Sequence, residues 1–227
     1  MLKLSPILLA IGTAIGMYLL SAWRLGRQLD SQSTELADPR LAKLTAQLAQ
    51  ALDLPRIKVH IYEIAPINGL AAPDGRIFIT RGFYDKYRLG EVSGEELTSV
   101  IAHELGHVAL GHAKRRMFDF SGQNAIRVML SMVLGRILPG IGPYVAGFLA
   151  SLLAARLSRQ DEYEADAYAA ALLTKAGIGV APQIALFEKL EKLSGAGGGQ
   201  LAWLMSHPKT ADRIDAIRAL EDRWLEK

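Results

Sequence analysis

The chain has 227 residues, half of them hydrophobic, so it can bury the core of one folded domain with an accessory segment but not of two large domains. Its formal net charge of +3 arises in the first 29 residues, and the remainder is balanced, with 23 basic and 23 acidic side chains, which argues against a nucleic-acid-binding face. Cysteine is absent, which excludes disulfides and thiolate ligands, so nitrogen and oxygen atoms must hold any bound metal.

A long apolar segment lies near the N-terminus. The twenty uncharged residues Leu4–Trp23 have the length and composition of a helix that crosses the hydrocarbon core of a bilayer. The alternative is a cleavable secretory signal, but the run is long for one and no small-x-small cleavage site stands directly before Trp23 and Arg24. We therefore expect residues 1–29 to be a single-pass anchor in the cell membrane and residues 30–227 to form the folded domain. Basic residues flank the segment on both sides, which leaves the side of the membrane undecided, with a slight lean toward the cytoplasm.

The next segments predict a helix and two short strands. Apolar residues recur at helical spacing from Asp38 to Leu52, and Pro55 ends the pattern. Apolar and polar side chains then alternate in Ile57–Tyr62 and again in Arg76–Thr80, which is typical of half-buried β-strands. A small sheet beside the helix is therefore expected.

The following helix has a strong start signal. Ser93 and Glu96 form the S-x-x-E pattern of a capping box, and the helix is predicted to extend to about Arg115. The apolar region 124–157 comes next, but Pro and Gly residues divide it into two runs that are each too short to span a bilayer. We expect a helical hairpin that packs on the protein or dips into the membrane interface, and a pair of true spans is the alternative.

Three more helices are predicted toward the C-terminus. They cover about residues 158–175, 182–193 and 210–224, and a glycine-rich link at residues 195–199 precedes the last of them. The predicted fold class is therefore α+β, mostly α, with a small β-sheet.

The H-E-x-x-H motif at His103–His107 lies inside the best-capped predicted helix. Because an α-helix turns by about 100° per residue, His103 and His107 share one face, and both imidazoles can reach one ion. Glu104 lies near the same face, where it can take a proton from metal-bound water without being a ligand. A chance match is expected in fewer than about one per cent of such chains, so the motif predicts one zinc ion per chain. A catalytic zinc needs a third protein ligand.

A carboxylate cluster on the downstream helix can supply that ligand. Glu162 and Asp166 are four residues apart and therefore lie on the same side of the predicted helix. One of them can bind the ion while the other accepts a hydrogen bond from the free ring N–H of a ligating histidine, which fixes the tautomer. A solvated helix end is the alternative interpretation of this cluster.

Four motifs occur in the order of one known family, over roughly Asp38 to the C-terminus. They are Asn68–Ile79, His103–His107, Ser158–Asp166 and Ser206–Arg213. The chain resembles the HtpX and CAAX-prenyl-protease type of zinc metallopeptidases, a gluzincin group also called metallopeptidase family forty-eight. The resemblance implies a gluzincin-type zinc peptidase domain. It also implies a role in protein quality control, which no individual residue indicates.

The resemblance also implies roles for individual residues. Glu162 matches the third zinc ligand, and Asp166 matches the carboxylate that hydrogen-bonds a ligating histidine. His207 matches a histidine near the metal that stabilises the oxyanion or caps the zinc at rest, and Arg213 matches a nearby arginine. This chain departs from the family at Gly69, where relatives often carry a bulkier residue, and in having one clear membrane span and one ambiguous hairpin.

The sequence therefore predicts a membrane-associated zinc metalloendopeptidase. Its polypeptide substrate is expected to add a strand to an open sheet edge, along Arg76–Thr80 or along Ala71 and Ala72 just before it. Glu104 would take the proton of the zinc-bound water and deliver it to the leaving amine. The alternative is a metal-binding but catalytically inactive membrane scaffold that holds lipid or partners through the 124–157 hairpin. The sequence identifies neither the natural substrate nor an oligomeric state.

Overall fold

The computed structural model describes residues 5–72, 74–112, 128, 130–195 and 210–225, and for some of the helical residues it describes the backbone alone. Within these ranges the helices are α1 (Ser5–Ser31), α2 (Pro39–Ala51), α3 (Arg81–Arg88), α4 (Gly94–Ala109), α5 (130–137), α6 (Gly142–Lys175), α7 (Ala181–Gly195) and α8 (Thr210–Leu225). The strands are β1 (Ser33–Glu35), β2 (Val59–Tyr62), β3 (Gly69–Ala71) and β4 (Ile77–Thr80). The predicted fold class, mostly helical with a small sheet, is confirmed.

The four strands form one mixed sheet in the order β1-β2-β4-β3. Strand β2 pairs parallel with β4, whereas β1 and β3 pair antiparallel with their neighbours. Strand β4 is therefore hydrogen-bonded on both sides, and β3 forms one edge of the sheet. Of the two segments considered for substrate binding, Arg76–Thr80 is excluded, because a substrate strand needs an open edge.

Both faces of the sheet are covered, which the alternating pattern did not predict. Ile77 and Ile79 face the main hydrophobic core, formed with α2, α4, α6, α7 and α8. Phe78 points to the opposite face, where it is fully buried with Leu29 from the C-terminal end of α1. Helix α1 therefore extends beyond the uncharged run that ends at Trp23, and Leu29 near its C-terminal end packs on the sheet.

Helix α4 is almost entirely buried and lies against both the sheet and the other core helices. Its predicted capping box is present: the Glu96 N–H donates to Ser93 Oγ, and the Ser93 N–H donates to the Glu96 carboxylate at 2.7 Å. The predicted C-terminal end near Arg115 is wrong. The helix ends at Ala109 because Gly111 follows with a φ of +67°, a conformation that terminates helices.

Helix α6 joins two segments that the sequence predicted separately. Its 34 residues include both the second apolar run of the 124–157 region and the carboxylate cluster. A turn at residues 138–141 connects α5 to α6, and Gly142 lies so close to the Leu134 carbonyl that a side chain would not fit there. Around this turn the apolar side chains are exposed; they include Ile137, Ile141, Tyr144 and Phe148. Among the described residues, no helix has both the length and the hydropathy needed to cross a bilayer.

Candidate metal centre

Helices α4 and α6 carry the predicted ligands, and they approach each other closely at Gly106. A Cβ atom at this position would lie 3.0 Å from the carbonyl oxygen and 3.1 Å from the Cα atom of Ala165. Both are backbone atoms that cannot rotate away, so any larger residue at this position of α4 would force the two helices apart by a few tenths of an ångström. This approach sets Glu162 and Asp166 of α6 opposite the histidines of α4.

Three of the predicted side chains converge at this crossing. His103 Nε2 lies 3.1 Å from His107 Nε2. Glu162 faces both nitrogens, with Oε2 3.5 Å from His103 Nε2 and Oε1 3.5 Å from His107 Nε2. All three side chains are buried. They form a group whose ligand atoms all lie within 4.8 Å of one another, which is the arrangement that binding of a single ion needs.

The spacings fit zinc. Two ligand atoms that each lie about 2.0–2.1 Å from one tetrahedral ion are separated by ~3.3 Å, which falls between the observed distances of 3.1 and 3.5 Å. The hydrogen of neutral His103 is on Nδ1, because this nitrogen lies 2.9 Å from Asp166 Oδ1 and the ionised carboxylate can only accept. In this neutral form, His103 Nε2 presents a lone pair toward the other ligands, as zinc requires.

Asp166 connects the metal-binding helix to α8. Its carboxylate accepts from His103 at Oδ1, and it accepts from Arg213 through Nε at 2.6 Å and Nη2 at 2.8 Å. Arg213 is itself buried, with its guanidinium over the ring of Phe187 and Nη2 3.6 Å from Glu162 Oε2. The predicted histidine partner and the predicted arginine thus belong to one hydrogen-bonded chain.

The charges of the hydrogen-bonded side chains His103, Asp166 and Arg213 favour a positive charge at the proposed ligands. Burial lowers the pKa of the His103 imidazole, but hydrogen bonds to Asp166 and Glu162 outweigh it and raise that pKa to about 9. Burial raises the pKa of Asp166, but hydrogen bonds from Arg213 and His103 outweigh it and keep this pKa below its usual range. Asp166 is therefore ionised at neutral pH, and the carboxylates around His103 stabilise a cation.

Glu104 lies on the side of α4 that faces strand β3. Its side chain is buried, and a Cβ atom at Gly69 would lie 3.4 Å from Glu104 Oε1 and 2.6 Å from Val100 Cγ1. The predicted general base is therefore next to the edge strand. Gly69, which the sequence singled out as a departure from the family, leaves the space that the helix side chains occupy.

The two alanines proposed for substrate binding differ in their surroundings. Ala72 is buried, its N–H donates to the Arg76 carbonyl, and its carbonyl accepts from the Gly75 N–H, so its main chain is already bonded within the turn. Ala71 belongs to the edge strand β3 and lies opposite Ile77. Backbone groups alternate in direction along an antiparallel strand, so Ala71 directs its N–H and C=O toward the open edge. His207, the remaining predicted residue, lies outside the described residues.

Sequence reasoning assigned no role to His112, although the structure brings it to the metal centre. Its buried ring lies beside the ring of His107, with 2.7 Å between the two Nδ1 atoms. The only sequence signal was a further histidine soon after the motif. Its direction depends on the end of α4 at Ala109 and the turn at Gly111, which the helical pattern did not predict.

Comparison with known proteins agrees with this geometry. The family model described as "Peptidase family M48" matches residues 35–221. The chain is 33% identical over 197 residues to the metalloprotease LoiP of Escherichia coli, covering 85% of this chain and 75% of that protein. It is 30% identical over 193 residues to the metalloprotease YcaL of the same organism, with 85% and 73% covered. A protease HtpX homolog of Dictyoglomus thermophilum is 28% identical over 231 residues, with 82% and 71% covered.

Proposed function

Because the chain belongs to peptidase family M48 and is therefore a zinc metalloendopeptidase, we propose that His103, His107 and Glu162 bind its zinc and that Glu104 is the general base. The observation that carries this assignment is the convergence of the two Nε2 atoms and the Glu162 carboxylate at tetrahedral spacing. Glu104 is on the same helix as the two histidines and lies beside the edge strand at Gly69.

The proposed roles follow from the positions of the side chains. Zinc bound by these ligands would supply a Lewis acid for the scissile carbonyl and would lower the pKa of a bound water. Glu104 is the residue that would take up a proton as general base and give it to the leaving amine. Asp166 holds His103 in the tautomer that presents Nε2, and Arg213 holds Asp166 in place. His207 stabilises the tetrahedral oxyanion, a role that rests on its match to the family motif.

The substrate polypeptide is proposed to bind as an additional strand on β3. This strand is an edge of the sheet, and its main-chain groups at Gly69 and Ala71 point outward. A peptide that pairs with β3 would lie next to Glu104, because the same strand contacts α4 at Gly69. Main-chain pairing accepts many side chains, which is suited to substrates that are unfolded or misfolded polypeptides in protein quality control.

The activity assignment is tested by two variants of the zinc-loaded protein. With casein as substrate, Glu104→Gln is expected to retain one zinc per chain and to lose cleavage by at least about a hundredfold, the scale of a missing general base. His103→Ala is expected to lose both zinc and cleavage. Cleavage by zinc-loaded Glu104→Gln at the wild-type rate would refute the assignment of the base. If the wild type and His207→Ala both bind zinc but neither cleaves casein, the inactive scaffold would be supported instead.

The chain is also proposed to work at a membrane surface. Residues 1–29 would be a single-pass anchor and residues 30–227 the peptidase domain, with the 124–157 hairpin as a second membrane contact. The support is the uncharged run Leu4–Trp23 together with the exposed apolar side chains around the turn at 138–141. The relatives of this chain include proteases named HtpX.

A further inference from the structure

A second cluster of ionisable side chains lies directly beside the metal centre. His112 has one ring nitrogen, Nδ1, 2.7 Å from His107 Nδ1 and the other, Nε2, 3.2 Å from Glu164 Oε2. Asp161 Oδ1 lies 3.9 Å from the same Nε2. The ring of His112 is buried. It therefore stands between a proposed zinc ligand and two carboxylates of α6.

The positions of the hydrogens follow from this arrangement. When His107 binds zinc through Nε2, its remaining hydrogen is on Nδ1. That N–H points at His112 Nδ1, which must then be the lone-pair nitrogen of a neutral ring, and the hydrogen of His112 is on Nε2. The Nε2–H in turn donates to Glu164, whose carboxylate is an acceptor. The hydrogens on His107 Nδ1 and His112 Nε2 then each have one donor and one acceptor.

We propose that His112 is a positioning residue that fixes His107 in the zinc-binding tautomer and is itself oriented by Glu164. The inference rests on the proposed ligation of zinc by His103, His107 and Glu162. Asp166 accepts a hydrogen bond from His103 through an ionised carboxylate oxygen. His107 instead donates to the neutral ring of His112, and that ring donates to the carboxylate of Glu164. The two histidines of the H-E-x-x-H motif are thus oriented by different groups.

The same count of hydrogens argues against a second metal ion in this cluster. The ligand atoms of His112, Asp161 and Glu164 are close enough together to hold an ion. An ion on His112 Nε2 would, however, move the hydrogen of that ring to Nδ1. With zinc on His107, two N–H groups would then face each other across 2.7 Å, which is repulsive. The structure therefore assigns the cluster to hydrogen bonding and predicts that it binds no metal ion.

The test compares two replacements of His112 that differ in one acceptor. The amide oxygen of His112→Asn occupies nearly the position of Nδ1 and can accept from His107, whereas His112→Leu offers no acceptor. Zinc affinity of the full chain is measured by competition with a chromogenic chelator, starting from metal-free protein. His112→Leu is expected to bind zinc about 10–100-fold more weakly, as for other partners of ligating histidines, and His112→Asn to recover most of the loss. The controls are the melting temperature of each metal-free variant and Glu164→Ala, for which a smaller loss is expected.

The outcomes separate this inference from the ligand assignment on which it rests. Wild-type zinc affinity in His112→Leu would overturn the positioning role, as would equal weakening in His112→Leu and His112→Asn. A second zinc ion per wild-type chain by elemental analysis that is absent from His112→Leu would also overturn it. If His103→Ala retains wild-type zinc affinity, the proposed ligands themselves are wrong, irrespective of His112. If His112→Leu does not fold, the zinc affinity of Glu164→Ala is compared with that of the exposed control Glu188→Ala. Equal zinc affinity in these two variants would overturn the proposal.

Discussion

Arg213 donates two hydrogen bonds to the carboxylate of Asp166, and both side chains are almost completely buried. One oxygen of that carboxylate, Oδ1, also accepts from His103 Nδ1. The geometry of the metal centre is therefore coupled to the docking of α8, a helix that supplies no proposed ligand.

Removal of the guanidinium should destabilise the fold. We expect Arg213→Met to lower the free energy of unfolding of the metal-free protein by about 3–5 kcal/mol, because Asp166 would remain buried with its cationic partner gone. Arg218→Met is the matched control on the same helix, since Arg218 forms an exposed pair with Glu188 and should contribute less than about 1 kcal/mol. Denaturant unfolding measures both. Equal stabilities of the two variants would contradict the structural role of Arg213.

The helix crossing at Gly106 should be equally sensitive. We expect Gly106→Ala to weaken zinc binding, because the new Cβ atom would press on the backbone of Ala165 and move α6 away from α4. Gly147→Ala, on α6, is the control, since no atom lies within 4 Å of a Cβ at that position and alanine favours a helix. Chelator competition measures the zinc affinity, and unchanged affinity in Gly106→Ala would show that the crossing does not set the ligand positions.

The space at Gly69 should affect turnover. A Cβ atom there would lie 2.6 Å from Val100 Cγ1, so we expect Gly69→Ala to cost about 1–3 kcal/mol of stability and to lower kcat/KM by displacing β3 or Glu104. Adding Val100→Ala removes the obstructing methyl group and should restore part of the lost activity. The measurement is peptide cleavage by both variants and by Val100→Ala alone. Failure of the double variant to exceed Gly69→Ala would mean that this contact is not the cause.

The proposed membrane contact can be tested with spectroscopic labels because the chain has no cysteine. A spin label at Phe148→Cys, near the turn at 138–141, is expected to collide with oxygen dissolved in the bilayer and to be shielded from a water-soluble nickel chelate. A label at Leu89→Cys, an exposed apolar residue that follows α3, should show the reverse. The protein is reconstituted into liposomes for the measurement. Equal exposure of both labels to the nickel chelate would exclude the hairpin from the membrane.

Local features of the structure could be predicted where neighbouring residues decide them. The capping box at Ser93 and Glu96 lies within one turn of α4, and the spacing of His103 and His107 puts both on one face of that helix. The four-residue spacing of Glu162 and Asp166 allowed one ligand and one hydrogen-bond partner, but only the resemblance indicated which was which.

The remaining features depend on contacts between distant parts of the chain. The burial of Phe78 on a face expected to be half exposed arises because Leu29 of α1 covers it. The position of His112 depends on where α4 ends, and the role of Arg213 depends on how α8 docks. Helical periodicity describes one helix at a time, so it carries no information about these tertiary contacts.

The pairing of Asp166 with Arg213 has a consequence for biosynthesis. All three proposed zinc ligands precede α8 in the chain, so a ribosome translates them before it translates Arg213. Until α8 has been translated and has docked, Asp166 lacks the two hydrogen bonds that Arg213 donates. The hydrogen-bonded arrangement behind His103 is therefore completed only when this late helix has folded.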